Sequence, residues 1–154
     1  MMTAHVAKML DYVVTCSDAG KLRQIAANAE EKGVPELALA ARRKLYSILP
    51  GEEPGTIEFD VWQSIHALED VLTSERGKTL RLARTRQKIS RDGIVPCVAS
   101  LVTGKASDGF RMLEERDMLD LSFEAIALKY PDRFEPAVLD AARARLDAAG
   151  FAPQ

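Results

Sequence analysis

Apolar residues recur along this chain at intervals of three and four, with polar residues between them. In "HVAKMLDYVV" the positions Val6, Met9, Leu10, Val13 and Val14 share one helical face. Ser17 or Asp18 is placed to cap a second helix, whose apolar positions Leu22, Ile25, Ala26 and Ala29 keep the same spacing. Gly33 ends that helix and Pro35 suits the first turn of a third, with Leu37, Ala38, Ala41, Leu45 and Ile48 as its inner stripe. Residues 21–49 therefore read as a helical hairpin joined by "KGVP".

"LPGEEPGT" breaks the pattern with two Pro and two Gly. Thr56 then caps a long helix with Ile57, Val61, Ile65, Leu68 and Leu72 on one face, widened by Phe59 and Trp62. The stripe fades at "TSERG". Shorter helical patterns follow "RDG", the last opening at Pro136 and closing at Gly150. No Val/Ile/Thr alternation is long enough for a strand. The expected fold is all-α, a compact helical domain of seven to nine helices. The break at 50–55 leaves open a hinge between a hairpin region, 1–50, and a larger region, 56–154, holding the long helix, a basic helix and a bundle of short helices.

Composition agrees with this picture. Hydrophobic residues make up 47% of the 154 and aromatics 6%, so small and aliphatic side chains dominate the packing. Cys16 and Cys97 form no CxxC pair and read as reduced thiols. "MMTAHVAKMLDYVVTC" lacks the apolar run and cleavage site of a signal peptide, and "IVPCVASLV" is too short to span a bilayer. A cytoplasmic location without membrane contact is expected.

Charge changes the picture more. Residues 1–74 carry 7 basic and 11 acidic side chains, and residues 92–154 carry 7 and 11 again. Residues 75–91 carry 7 basic and 1 acidic. A net charge of −2 thus hides a strongly cationic segment between two acidic ones. Drawn as a helix over 78–91, the segment places Lys78, Arg81, Arg84 or Thr85, Lys88 and Arg91 in one stripe, with Arg86 to the side. Such a stripe has no i,i+4 acids to relieve its repulsion, and a polyanion would relieve it. Arg outnumbers Lys five to two, and Arg suits bidentate contact with phosphate or guanine. Thr85 and Gln87 add polar groups that can touch phosphate or adenine. The segment has no aromatic residue, so stacking on single strands is not indicated. The same charge could instead be met by the acidic flanks.

"ASLVTGKASDGFRML" has the spacing of a helix-turn-helix around Gly104, but Lys105 and Gly109 depart from it and the second helix ends in acids. It reads better as a helical hairpin. His66, Glu69, Asp70 and Asp60 resemble a metal set only loosely, because no second Glu-x-x-His pair exists; a solvated helix face is the simpler account. Neither GK dipeptide has the glycine spacing of a phosphate loop. No nucleophile–base arrangement is visible, so no catalytic residue, metal or cofactor is assigned.

These features favour a non-catalytic protein that binds nucleic acid, duplex DNA before RNA, through Lys78, Arg81, Arg84, Thr85, Arg86, Gln87, Lys88 and Arg91. Arg81, Arg84, Lys88 and Arg91 would dock on phosphates, with Arg86 and Gln87 as candidates for base or groove contact. The alternative is a protein-interaction or homo-oligomeric assembly module whose basic helix meets an acidic surface, working beside a DNA-processing enzyme.

Overall fold

The computed structural model describes residues 3–152. Among them are nine α-helices, two single 3-10 turns and no strand. The chain divides into two compact units, Met1–Gly51 and Glu52–Gln154.

The first unit holds α1 (Ala4–Thr15), α2 (Ala19–Glu31) and α3 (Pro35–Ile48). Thr3 caps α1 by accepting from the Val6 amide, and Asp18 caps α2 by accepting from Lys21. Between α2 and α3 the chain reverses at Gly33, whose φ of 71° lies in the left-handed region that favours glycine. Leu22, Ile25, Ala26 and Ala29 of α2 are buried, as are Leu37, Ala38, Ala41 and Leu45 of α3, and the two helices pack together. In α1 the expected apolar face is split. Val6 and Val13 are buried, whereas Val14 is 68% exposed. Adjacent helical residues point about 100° apart, and α1 packs chiefly on α3 within this unit, so the contact takes one of the two valines.

The second unit begins with α4 (Ile57–Arg76), capped by Thr56, which accepts from the Phe59 amide. It runs one turn past its apolar stripe and stops at Gly77, a left-handed cap with φ 71°. Then come α5 (Ala83–Asp92), α6 (Ile94–Thr103), α7 (Asp108–Glu115), α8 (Phe123–Lys129) and α9 (Pro136–Ala148). The core joins Ile57, Val61 and Ile65 of α4 to Val98 and Val102 of α6, Ile126 of α8, and Val138 and Ala142 of α9. Burying aliphatic side chains of this size contributes about 1.5–3 kcal/mol each. Leu82 and Ile89 lean on that core from the side, and no residue of α5 is fully buried.

Two expectations change. The basic helix does not span 78–91: it begins at Ala83, and residues 78–82 are an irregular connector. The helical hairpin read around Gly104 does not form a close pair either. Helix α6 packs on α5, α8 and α9, while α7 packs on α4. Gly109, unfavourable at a helix start, sits where a Cβ would come within 3.2 Å of Leu68 Cδ2, so its missing side chain permits the approach of α7 to α4. Both cysteines are buried free thiols. Among the described residues no helix is long and apolar enough to cross a membrane.

Candidate nucleic-acid interface

The connector after α4 is held by two side chains of α4 itself. Thr73 and Glu69 lie four residues apart and so share a face. The Leu80 amide donates to Thr73 Oγ1 at 3.1 Å, and the Leu82 amide donates to Glu69 Oε2 at 2.8 Å. Leu80 and Leu82 are half-buried, while Thr79 and Arg81 are exposed. The segment thus runs with alternating sides, inner and outer, along the end of α4.

Glu69 does a second task. Arg86, one turn into α5, donates from Nε and Nη2 to its two carboxylate oxygens, both at 2.7 Å. The guanidinium lies 5.1 Å from the centre of the Trp62 ring. Bidentate pairing and stacking on an aromatic face both suit the planar guanidinium. The Glu69 carboxylate is only 12% exposed. Burial alone would raise its pKa, but the bonds from Arg86 and Leu82 outweigh burial and hold it below the usual carboxylate range. Glu69 therefore caps the entry to α5 and anchors its first turn.

This has a pH consequence. The folded pKa lies below the unfolded one, so the pair stabilises α5 fully above the unfolded value of about 4.3, and that contribution is lost as pH falls through the lowered folded value. The fluorescence of Trp62, the single tryptophan, should change in a transition below about pH 4. Glu69→Gln should remove that transition. Its persistence in the variant would assign it to another group.

The other cations of the segment divide into used and unused groups. Lys88 Nζ donates to Ser100 Oγ of α6 at 2.6 Å and is half-buried. Arg91 forks onto its neighbour Asp92 at 3.1 and 3.0 Å in an exposed pair, a kind of contact that contributes little to stability. Glu75, the acid before the segment, is taken by Arg116 at 2.8 Å. Thr85 is half-buried, and its carbonyl oxygen lies 4.0 Å from the Cys97 thiol. Burial pushes that thiol above its ordinary value, which makes it a poor nucleophile.

Arg76, Lys78, Arg81 and Arg84 are all exposed and make no ion pair or side-chain hydrogen bond among the described residues. Gln87 is exposed on α5 in the same condition. Of the eight residues singled out from sequence, Lys78, Arg81, Arg84 and Gln87 thus stand free, Lys88 and Arg91 are engaged locally, and Thr85 is turned partly inward. Arg86 is committed to the fold and is not available for base contact. Arg76 was missed, because the helical reading started after it; its place beside Gly77 signals the exposed last turn of a helix.

The loose metal set is dispersed. Glu69 serves Arg86, and Asp60 Oδ2 accepts from Lys129 Nζ at 2.9 Å and the Tyr130 hydroxyl at 2.7 Å. Burial, with the Asp60 bond, pushes the Tyr130 phenol up to about 12, too high for a base at neutral pH. Among the described residues no group of three or more His, Cys, Asp or Glu could hold a metal ion. The fold and this segment define an all-helical protein with an anchored cationic connector. Compared with known proteins, the chain matches no family model, no curated protein and no solved structure.

Proposed function

We propose that this is a non-catalytic nucleic-acid-binding protein that docks on duplex DNA through the segment from Arg76 to Arg91. One observation carries the reading: Arg76, Lys78, Arg81 and Arg84 stand exposed without counter-charge, on a backbone that Thr73, Glu69 and Arg86 hold in place. Four like charges close together on an otherwise acidic chain are costly to leave unscreened, and a phosphate backbone neutralises them with release of counterions. Fixing the segment beforehand reduces the ordering cost of binding. The acidic remainder of the chain disfavours contact elsewhere and gives the docking a direction.

The test is a gel-shift series with duplex DNA, single-stranded DNA and RNA over a range of salt. The duplex should be retained at low salt, with log K falling against log salt at a slope between about −3 and −4, near 0.9 for each of four cations. Retention of none of the three at low salt would sink the proposal. If the protein then also forms a dimer that salt dissociates, the cations serve assembly instead.

A further inference from the structure

Each of the other α-helices has fully buried residues among those described, whereas α5 has none. It packs chiefly on α6, Ile89 leans on the core, and Arg86 is tied to Glu69. Those contacts fix which side of the helix faces out. Ala83, Arg84, Gln87, Ser90 and Arg91 are exposed, at helical spacings of three and four. A ten-residue helix therefore lies on the body with one whole side open. The major groove of B-DNA is wide enough to admit such a helix.

The two ends of that side differ. Arg84 and Gln87, in the N-terminal half, make no ion pair or side-chain hydrogen bond. Arg91, in the C-terminal half, is forked onto Asp92, whose own charge opposes a phosphate. Ala83 and Ser90, four residues before and three after Gln87, are short, so the backbone can come close to whatever Arg84 and Gln87 reach. The free cations Arg76, Lys78 and Arg81 lie before the helix, at this same end. In helices that read a groove, N-terminal residues touch base edges while neighbouring groups hold phosphates.

The spacing suits two bases. Residues 84 and 87 of a helix stand about 4.5 Å apart along its axis and about 60° apart around it. Base pairs are stacked about 3.4 Å apart, so the two side chains address neighbouring pairs. A guanidinium fork matches O6 and N7 of guanine, and a carboxamide matches N6 and N7 of adenine.

Resting on the reading above, we infer that α5 enters the major groove of duplex DNA with Arg84 on a guanine and Gln87 on a neighbouring adenine, which gives the site a sequence preference. Arg76, Lys78 and Arg81 stay on phosphates. On a duplex without those bases Arg84 falls back on phosphate as the fourth cation. Arg86, held on Glu69, keeps the helix from turning in the groove.

The experiment selects duplexes with a randomised centre on the wild-type chain. It then measures Kd by fluorescence anisotropy for the enriched duplex, for duplexes with one base pair of its centre exchanged, and for an unrelated duplex. The enriched centre should hold a G·C pair beside an A·T pair and bind about tenfold or more tighter than the unrelated duplex. Its salt slope should be shallower by about 0.9, because Arg84 has exchanged a phosphate for a base. Arg84→Ala should remove the discrimination at the G·C pair, and Gln87→Ala that at the A·T pair. Lys78→Ala should weaken all duplexes by a similar factor and leave their ratio unchanged. Constants that agree within about twofold across all duplexes would overturn the inference while leaving DNA binding intact. A preference that survives both Arg84→Ala and Gln87→Ala overturns it equally, by placing the reader elsewhere. Binding to no duplex at low salt would instead overturn the proposed function, and this inference with it.

Discussion

Replacing Lys78, Arg81 and Arg84 together by Ala should weaken duplex binding by a few hundred-fold at about 0.1 M salt and bring the salt slope from between about −3 and −4 to near −1. The magnitude follows from counterion release. Each phosphate contact contributes about 0.9 to the slope, so three lost contacts remove about 2.7, which between 1 M and 0.1 M salt is a factor of roughly 500. Arg76 remains and accounts for the residual slope. The fold should not notice. All three side chains are exposed and unpaired, and surface changes of that kind stay within about 0.5 kcal/mol. The Trp62 fluorescence should therefore match the wild type, because Arg86 and Glu69 are untouched. Arg86→Ala is the contrasting change: it removes a cation of equal charge but also the anchor of α5, so it should perturb Trp62 and stability first. Affinity that falls less than about threefold in the triple variant, with an unchanged slope, would mean these cations do not meet phosphate.

Much of the helical plan was legible because it rests on local rules. The α2–α3 hairpin has its apolar spacing, its Asp18 cap, its Gly33 turn and its first-turn proline all in agreement, and each expected inner residue from Leu22 to Leu45 is buried. The basic segment misled for a physical reason. Spacings of three and four between its charges imitate a helix, but charge spacing says nothing about where backbone amides find acceptors. At Leu80 and Leu82 those amides are intercepted by Thr73 and Glu69, and helix formation waits until Ala83. A second pattern was present in the same residues: Leu80 and Leu82 alternate with Thr79 and Arg81, the period of an extended segment with one side turned inward. The fate of Arg86 was not legible at all. Its partner lies 17 residues upstream, and Glu69 read from sequence as one more charge on a solvated face. Nor could sequence tell that Glu75 would pair with Arg116, 41 residues away.

Arg145→Ala should destabilise the second unit by about 3–5 kcal/mol, the usual cost of stranding one partner of a buried ion pair. Arg145 of α9 is 17% exposed and donates from Nη1 to Glu124 Oε2 of α8 at 2.6 Å; Glu124 is 7% exposed. The same nitrogen reaches the Leu101 carbonyl at 3.4 Å, and Nη2 donates to the Gly104 carbonyl. Those carbonyls belong to the end of α6, where a helix has unsatisfied acceptors and the negative end of its dipole. One guanidinium therefore closes α6, neutralises α8 and ties both to α9. Urea unfolding should give a lower midpoint for Arg145→Ala with little change in the slope. Arg145→Lys should recover part of the loss, because it keeps the charge but not the fork that reaches two elements. Glu124→Leu combined with Arg145→Met should be more stable than Arg145→Ala, since no buried carboxylate is then left unpaired. A loss below about 1 kcal/mol in Arg145→Ala would show that Glu124 finds solvent or another donor. The effect should carry to α5 only through unfolding. Ser100 of α6 receives Lys88, but Arg86 is held by α4, so duplex affinity measured well below the unfolding transition should stay near that of the wild type.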